Sequence, residues 1–244
     1  MRQALEQETR EYDESGFVVV PRLFDQPLID HFMTMRAEGP KPGDTGGTDD
    51  DPDDPNHIYP RMINMHGWDR MTDELAQRAD LTGIVSHLIG DEAVLRQTML
   101  YFKPPGGRGQ ALHQDQQYIT IEPLIGVWVA LDRSDAAVGR MTVVPGSHRL
   151  GILPVEAADT SVFFTDVQAV RPGGAEEEVG IDMNPGDALF FHGKLVHGSY
   201  ANKTKDRWRR SFICHFVGKH AEQFEPEQGK HVSHLKRDGA SADV

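Results

Sequence analysis

The sequence predicts a mainly β protein of the α+β kind, a jelly-roll core with flanking N-terminal helices. Three observations predict it. After Asp91, nine short apolar or alternating runs recur over about 125 residues, separated by Gly, Pro and Asp. Helical spacing of apolar residues is confined to the chain before Gly90. No internal repeat and no linker divides the 244 residues, and a 38 % apolar content can fill one sizeable core. About eight strands in two sheets is the usual content of a jelly roll.

The elements follow in order. Residues 2–14 read as a short polar helix, and GFVVV (16–20) as a strand ending at Pro21. Residues 26–38 read as a helix with Leu28, Ile29, Phe32, Met33 and Met35 apolar. Residues 39–56, GPKPGDTGGTDDDPDDPN, hold six Asp against one Lys and no apolar anchor, so a mobile loop is expected. Such a loop is a solvated insertion or a lid over a pocket. It lacks the alternating ligands and closing Glu of a calcium loop. Residues 69–89 read as one helix carrying Leu75, Leu81, Ile84, Val85 and Leu88, closed by Gly90. The strands expected after it are 94–103, 111–121, 124–131, 141–144, 162–170, 179–183, 188–191, 195–200 and 211–217. A second acidic cluster, Glu176-Glu177-Glu178, falls between two of them. The whole, 1–244, is expected as a single domain. Its helical or lid region covers about 1–90, its β core about 91–217 and a tail 218–244.

Composition excludes several functions. Thirty-eight acidic side chains against 25 Lys plus Arg give a net charge of −13. Nucleic acid is then not an expected partner, because phosphate binding rests on clustered cations, and anionic membranes are disfavoured too. No apolar run approaches the roughly 20 residues of a membrane span. One cysteine, Cys214, suits a reducing compartment. The opening MRQALEQETREYDES has no apolar signal core, and the closing SADV is no peroxisomal address. A cytoplasmic protein is expected, its oligomeric state open.

One tetrapeptide carries chemistry. In Leu112-His113-Gln114-Asp115, residues i and i+2 of a strand would face one side. His113 and Asp115 then supply two-thirds of a facial 2-His-1-carboxylate iron site. By itself the pair is a weak signal, since such pairs often serve as surface hydrogen bonds. A third ligand must come from a strand distant in sequence. His197 opens a strand after the buried run Ala188–Phe191, whereas His192 falls in the turn between and His148 in a loop. His215 is a core or pocket residue, and His220-Ala221-Glu222 lies beyond the last expected strand, on the surface. The basic stretch Lys203–Arg210 ends in a strand on which Arg209, Ser211, Ile213 and His215 share one face. Arg210, Phe212, Cys214 and Phe216 share the other. An inward guanidinium needs an anion, such as a carboxylate cosubstrate held bidentately. The alternative is a solvated basic strip.

These pieces together resemble the phytanoyl-CoA dioxygenase family of iron(II)/2-oxoglutarate-dependent oxygenases. The matching segments, in the family's order, are Thr98-Met99-Leu100 with Lys103-Pro104-Pro105, His113-Gln114-Asp115, Val143-Val144-Pro145-Gly146-Ser147-His148, Gly186-Asp187 with Phe190-Phe191, His197-Gly198-Ser199 with Asn202, then Arg209 and Cys214-His215-Phe216. The resemblance implies a double-stranded β-helix, cupin-like, with iron held by His113, Asp115 and His197. It implies 2-oxoglutarate chelating the iron with a salt bridge to Arg209, and Met99 and Trp128 lining that pocket. Gln97, Ser199 and Arg61 are looser candidates for it. Counting back from Cys214-His215-Phe216 selects Arg209, with Arg210 as its rival. The cofactors implied are Fe(II), 2-oxoglutarate and O2, with ascorbate as a stimulant. The reaction implied releases succinate and CO2 while a substrate C–H is hydroxylated. An intact Asp115 argues for oxygenation, because related halogenases place a halide there. Desaturation, ring closure and epoxidation use the same oxidant.

About the substrate the sequence says less. Tyr101, Gln117, Tyr118, Trp208 and His215 are candidate substrate residues, of a kind that suits a small polar or mixed molecule. Ordinary barrel filling is the competing reading for each. The net charge leans against a polyanion such as a CoA ester. Two other classes remain: a cupin-like metal enzyme that uses no 2-oxoglutarate and has no need of Arg209, and a non-catalytic ligand-binding barrel that has no need of the triad.

Overall fold

A computed structural model describes residues 2–35, 61–169 and 177–223. The acidic loop 39–56, Glu176 and residues 224–244 lie outside the described residues. The fold is a double-stranded β-helix, or jelly roll. Twelve described strands are β1 (Phe17–Val20), β2 (Met62–Ile63), β3 (Ala93–Lys103), β4 (Gln110–His113), β5 (Ile121–Ala130), β6 (Met141–Val143), β7 (Val155–Ala157), β8 (Val167–Ala169), β9 (Val179–Ile181), β10 (Ala188–His192), β11 (His197–Ser199) and β12 (Arg209–Gln223). Six form the major sheet in the order β1-β10-β5-β12-β3-β2, and four the minor sheet, β4-β11-β6-β9. A two-stranded ribbon pairs β7 with β8.

Alternation along the strands explains why two sheets and a helical cover assemble. On the outer face of the major sheet, Leu100, Phe102, Ile125, Val127, Val129, Phe190, Phe212, Cys214 and Phe216 are buried in one cluster. The four described helices are α1 (Arg2–Ser15), α2 (Gln26–Met35), α3 (Arg70–Ala76) and α4 (Ala79–Ile89). They cover that face, with Phe32, Leu81 and Val85 in the same cluster. Phe32 of α2 stacks on Phe212 of β12 with ring centroids 4.2 Å apart. On the inner face Trp128, Ala130, Leu189, Phe191 and Ile213 pack against Met141, Val143 and Ile181 of the minor sheet. Both faces of the central strands are therefore buried, and Gln97, Tyr101, Arg209, Ser211 and His215 of β3 and β12 share the face turned towards the minor sheet.

The structure departs from the sequence reading in several places. The helix expected over 69–89 is two helices. Asp69 caps the first through Thr72 N (2.7 Å), and Arg78 is extended between them, clamped to Asp80 by two 2.6 Å bonds. The strand expected over 111–121 stops at His113, where a 3-10 turn over Asp115–Gln117 begins the change of direction into β5. Among the described residues of the 162–170 run, 167–169 form the strand, and β2 and β7 add to the expected set. Strand β12 continues to Gln223, past residue 217, so His220 and Glu222 lie on it; His220 is exposed.

The N-terminal helix is held by a small ring cluster. Tyr12 lies against His192, with centroids 6.3 Å apart, and His148 lies 5.4 Å from the same ring. Burial, His148 and Lys194 together push the His192 imidazole down to about 4. Two outcomes are expected. Phe212→Ala should lower the unfolding free energy by about 3–5 kcal/mol in urea denaturation, as for a large buried aromatic. A histidine that resists protonation when folded but titrates near 6.5 when unfolded contributes stability above that pH and loses it as pH falls towards about 4. His192→Gln should flatten part of that fall in Tm.

Candidate active site

His113 ends β4, His197 opens β11, and the two are register partners across the minor sheet. Their rings lie 4.3 Å apart by centroid. Asp115 follows on the turn, not on the strand, so the spacing brings it to His113 by a change of direction. Gln114 fixes that turn. Its amide nitrogen donates to Gly151 O (2.8 Å) and Lys194 O (2.6 Å), and its oxygen accepts from Leu153 N (2.7 Å). The result is that one ligand atom from each of His113, Asp115 and His197 lies within 4.8 Å of the others. Asp115 Oδ1 is 3.4 Å from His113 Nε2 and 3.6 Å from His197 Nε2.

The hydrogen bonds behind the triad decide its chemistry. Each imidazole donates from Nδ1 to the carbonyl two residues earlier, His113 to Ala111 O (2.8 Å) and His197 to Leu195 O (2.9 Å). Each Nε2 then carries a lone pair towards the centre. Burial lowers the His197 imidazole to about 4, with His113 adding to it, so it stays neutral. Burial alone would raise the Asp115 carboxyl, but the neighbouring His197 and His215 and the His215 hydrogen bond hold it well below the usual range. Two imidazole nitrogens and one carboxylate converging on a buried point suit a divalent cation, and the pattern is that of a facial iron site.

His215 supports this set. Its Nε2 lies 2.8 Å from Asp115 Oδ2, and its ring is buried, so it orients the carboxylate. Of the candidate substrate residues, His215 is thus the one hydrogen-bonded to a metal-ligand candidate. Gln117 braces the turn: its amide donates to Leu153 O (2.9 Å) and accepts from Gln114 N. Trp208 packs with the outer cluster beneath the Arg210 guanidinium, 5.7 Å from its ring centroid. Tyr118 stays by the triad, its ring edge on His113 at 5.9 Å. Burial and then Asp115 raise its hydroxyl to about 12, so it remains a neutral donor. Tyr101 accepts from Arg61 Nη1 (2.9 Å) on the inner face.

Gln110 escaped the sequence reading. Ser199 pairs with Gln110 while His197 pairs with His113, so β4 carries one extra residue between them. That bulge turns Gln110 to the inner side, where its amide lies 3.0 Å from His113 Nε2. No periodicity rule reveals it, because alternation places Gln110 and His113 on opposite faces.

Away from the triad, along β12, lies a second feature. Arg209 is 5 % exposed, its guanidinium lies over the Trp128 ring (5.3 Å), and its Nε has no partner. Burial lowers its pKa to about 10, against the pull of Tyr101 and Asp132. Arg210, one residue on, points outward and is clamped to Asp132 by two 2.7 Å bonds. Arg207 pairs with Asp135 (2.7 Å). The basic stretch thus has different fates: two arginines bind surface carboxylates, and one is buried facing the barrel interior. Met99, Trp128 and Gln97 occupy the same inner face, Met99 and Trp128 flanking Ile213 and Gln97 flanking His215. Ser199 is reached by a buried lysine, Lys103 Nζ, at 2.8 Å.

The sequence profile of the phytanoyl-CoA dioxygenase (PhyH) family matches residues 12–211. The chain belongs to that family. A probable phytanoyl-CoA dioxygenase of Caenorhabditis elegans is 30 % identical over 158 residues, covering 59 % of this chain and 50 % of that protein. The peroxisomal phytanoyl-CoA dioxygenase of Bos taurus is 26 % identical, covering 88 % and 69 %. The chain thus spans from half to about two-thirds of these relatives' lengths. Among solved structures, the epimerase SnoN in complex with Fe3+, alpha ketoglutarate and nogalamycin RO superposes with a TM-score of 0.75 at 20 % identity, covering 95 % and 93 % of the two chains. EvdO2 of Micromonospora carbonacea var. aurantiaca with 2-oxoglutarate gives 0.70 at 19 %, covering 91 % and 94 %. At these identities the likeness is one of fold. No described helix of this family member is long and apolar enough to cross a membrane.

His215→Ala should leave the three ligands in place but free the Asp115 carboxylate to turn. Cobalt(II) titration of the purified variant should show metal affinity reduced by about 10–100-fold.

Proposed function

We propose that the protein is an iron(II)- and 2-oxoglutarate-dependent dioxygenase oxidising an unactivated C–H bond of a small molecule. Iron(II), when bound, would couple decarboxylation of 2-oxoglutarate to succinate and CO2 with transfer of an oxygen atom from O2 to the substrate. His113, Asp115 and His197 would hold the metal. Their tautomers and the His215 bond to Asp115 keep all three donors aimed without any proton having to leave an imidazole.

The single observation that carries the cosubstrate is Arg209. A buried cation without a carboxylate partner is costly. It lies on the inner face of β12, the strand that also supplies His215, and a dicarboxylate reaching from metal to guanidinium would satisfy it. Trp128 beneath it fixes the fork, and Met99, Gln97 and Ser199 would line the same ligand. A cupin-like metal enzyme that uses no 2-oxoglutarate has no such need. Tyr118, Tyr101 and Gln110 would meet the substrate; their hydroxyls and amide suit a ligand with several hydrogen-bonding groups more than a bare alkyl chain. The net charge of −13 counts against a CoA ester. We place the enzyme in the cytoplasm, where its one free, buried cysteine suits a reducing medium.

Anaerobic titration with iron(II) and 2-oxoglutarate should produce a visible charge-transfer band. Iron bound without that band would return the protein to the metal-enzyme class that uses no 2-oxoglutarate. Arg209→Ala should weaken 2-oxoglutarate binding by about 10–100-fold, as for a lost charge-assisted bond, and leave iron binding intact. Arg210→Ala should change neither. Asp115→Ala should abolish succinate release.

A further inference from the structure

We infer that Lys103 is a positioning residue of the cosubstrate pocket: it holds the Ser199 hydroxyl so that its hydrogen is presented to the distal carboxylate beside Arg209. The inference rests on the 2-oxoglutarate reading above.

Lys103 closes β3 and is the register partner of Arg209. Both are buried, 3 % and 5 % exposed, and among the described residues no carboxylate pairs with either. Two cations facing each other on adjacent strands repel, and burial adds to the cost; both causes lower the Lys103 ammonium well below its ordinary range. Such a pair makes sense where an anion is to be received.

The hydrogen bonds at Lys103 assign it a role. An ammonium has three donors. Those of Lys103 reach Tyr200 O (2.6 Å), Ser199 Oγ (2.8 Å) and Gly139 O (3.2 Å). The two carbonyls are a staple between the ends of two loops. Gly139 has φ +68°, and a methyl group there would strike Tyr200 O, so the staple needs glycine. The third bond serves no staple, because Ser199 is already in the β11 ladder. Its effect is on the hydroxyl. Ser199 Oγ accepts from Lys103 and, at 3.4 Å, from Gln110 N. Among the described residues its own hydrogen has no acceptor and is left to donate. Arg209 Nε and Ser211 Oγ, both buried without partners, line the adjacent strand on the same inner face. These donors together match a carboxylate.

The test separates orientation from stapling. Wild type, Lys103→Met, Ser199→Ala and the double variant are titrated anaerobically, with iron(II) present, against 2-oxoglutarate and 2-oxobutyrate. The second acid has the same 2-oxo acid head and lacks the distal carboxylate. Each single variant should weaken 2-oxoglutarate by about tenfold, the double by little more than either, and 2-oxobutyrate should be unchanged throughout. Additive losses, or equal weakening of both acids, would reduce Lys103 to a staple and overturn the inference. Should Lys103→Met fail to fold, Ser199→Ala leaves the staple untouched; 2-oxoglutarate binding unaltered in that variant overturns the inference by itself. Failure of the parent reading looks different, since iron-loaded wild type would then bind no 2-oxoglutarate.

Discussion

The register of β12 between β3 and β5 is the constraint on which the site depends. Arg209, Ser211, Ile213 and His215 face the minor sheet, and Arg210, Phe212, Cys214 and Phe216 face the helices. A slip by one residue would exchange the sets, placing three charged or polar groups among the phenylalanines and three aromatic or sulfur side chains among the imidazoles. The Phe32–Phe212 stack on one side and the Arg210–Asp132 clamp at the strand's start both oppose such a slip. Packing far from the chemistry thereby decides which guanidinium looks inward.

Inside the barrel the polar groups divide into two kinds. One kind is satisfied by the protein: Nδ1 of His113 and of His197 on carbonyls, Asp115 on His215, Gln114 on three backbone atoms. These fix orientation. The other kind is left with unused donors or lone pairs: Arg209 Nε, Ser211 Oγ, the Ser199 hydrogen and the Nε2 lone pair of His197. A buried polar group without a partner costs on the order of 1–3 kcal/mol, so several on one inner surface mark a place built for a ligand. The boundary between the two kinds outlines where metal and dicarboxylate would lie.

Much of this was legible beforehand. Alternation along 211–217 revealed the two faces of β12, and the chain order of His113, Asp115, His197 and Arg209 pointed to the family. What the sequence hid was local geometry. Asp115 reaches His113 through a turn that depends on Gln114 bonding residues 37 to 80 positions away, which no window shows. Gln110 faces inward because of a bulge. His215 was read as a pocket residue because a strand position tells the face and not the partner. Trp208 packs in the outer cluster and Gln117 braces the turn at Leu153, and neither partner shows in a sequence window. Arg78, with its side chain closing on Asp80, broke a helix that apolar spacing had joined.

Strand order also sets an order of events during synthesis. The central pair of ladders in the major sheet, β3–β12 and β12–β5, needs a strand that emerges about a hundred residues after its neighbours. Until then β3 and β5 have no strand between them, and neither Arg209 nor His215 exists. Such non-local pairing makes for slow folding and leaves strand edges open on the ribosome. The catalytic centre is thus among the last things this chain can build. Damage that stops translation shortly before Arg209 would yield an aggregation-prone fragment and not a smaller enzyme.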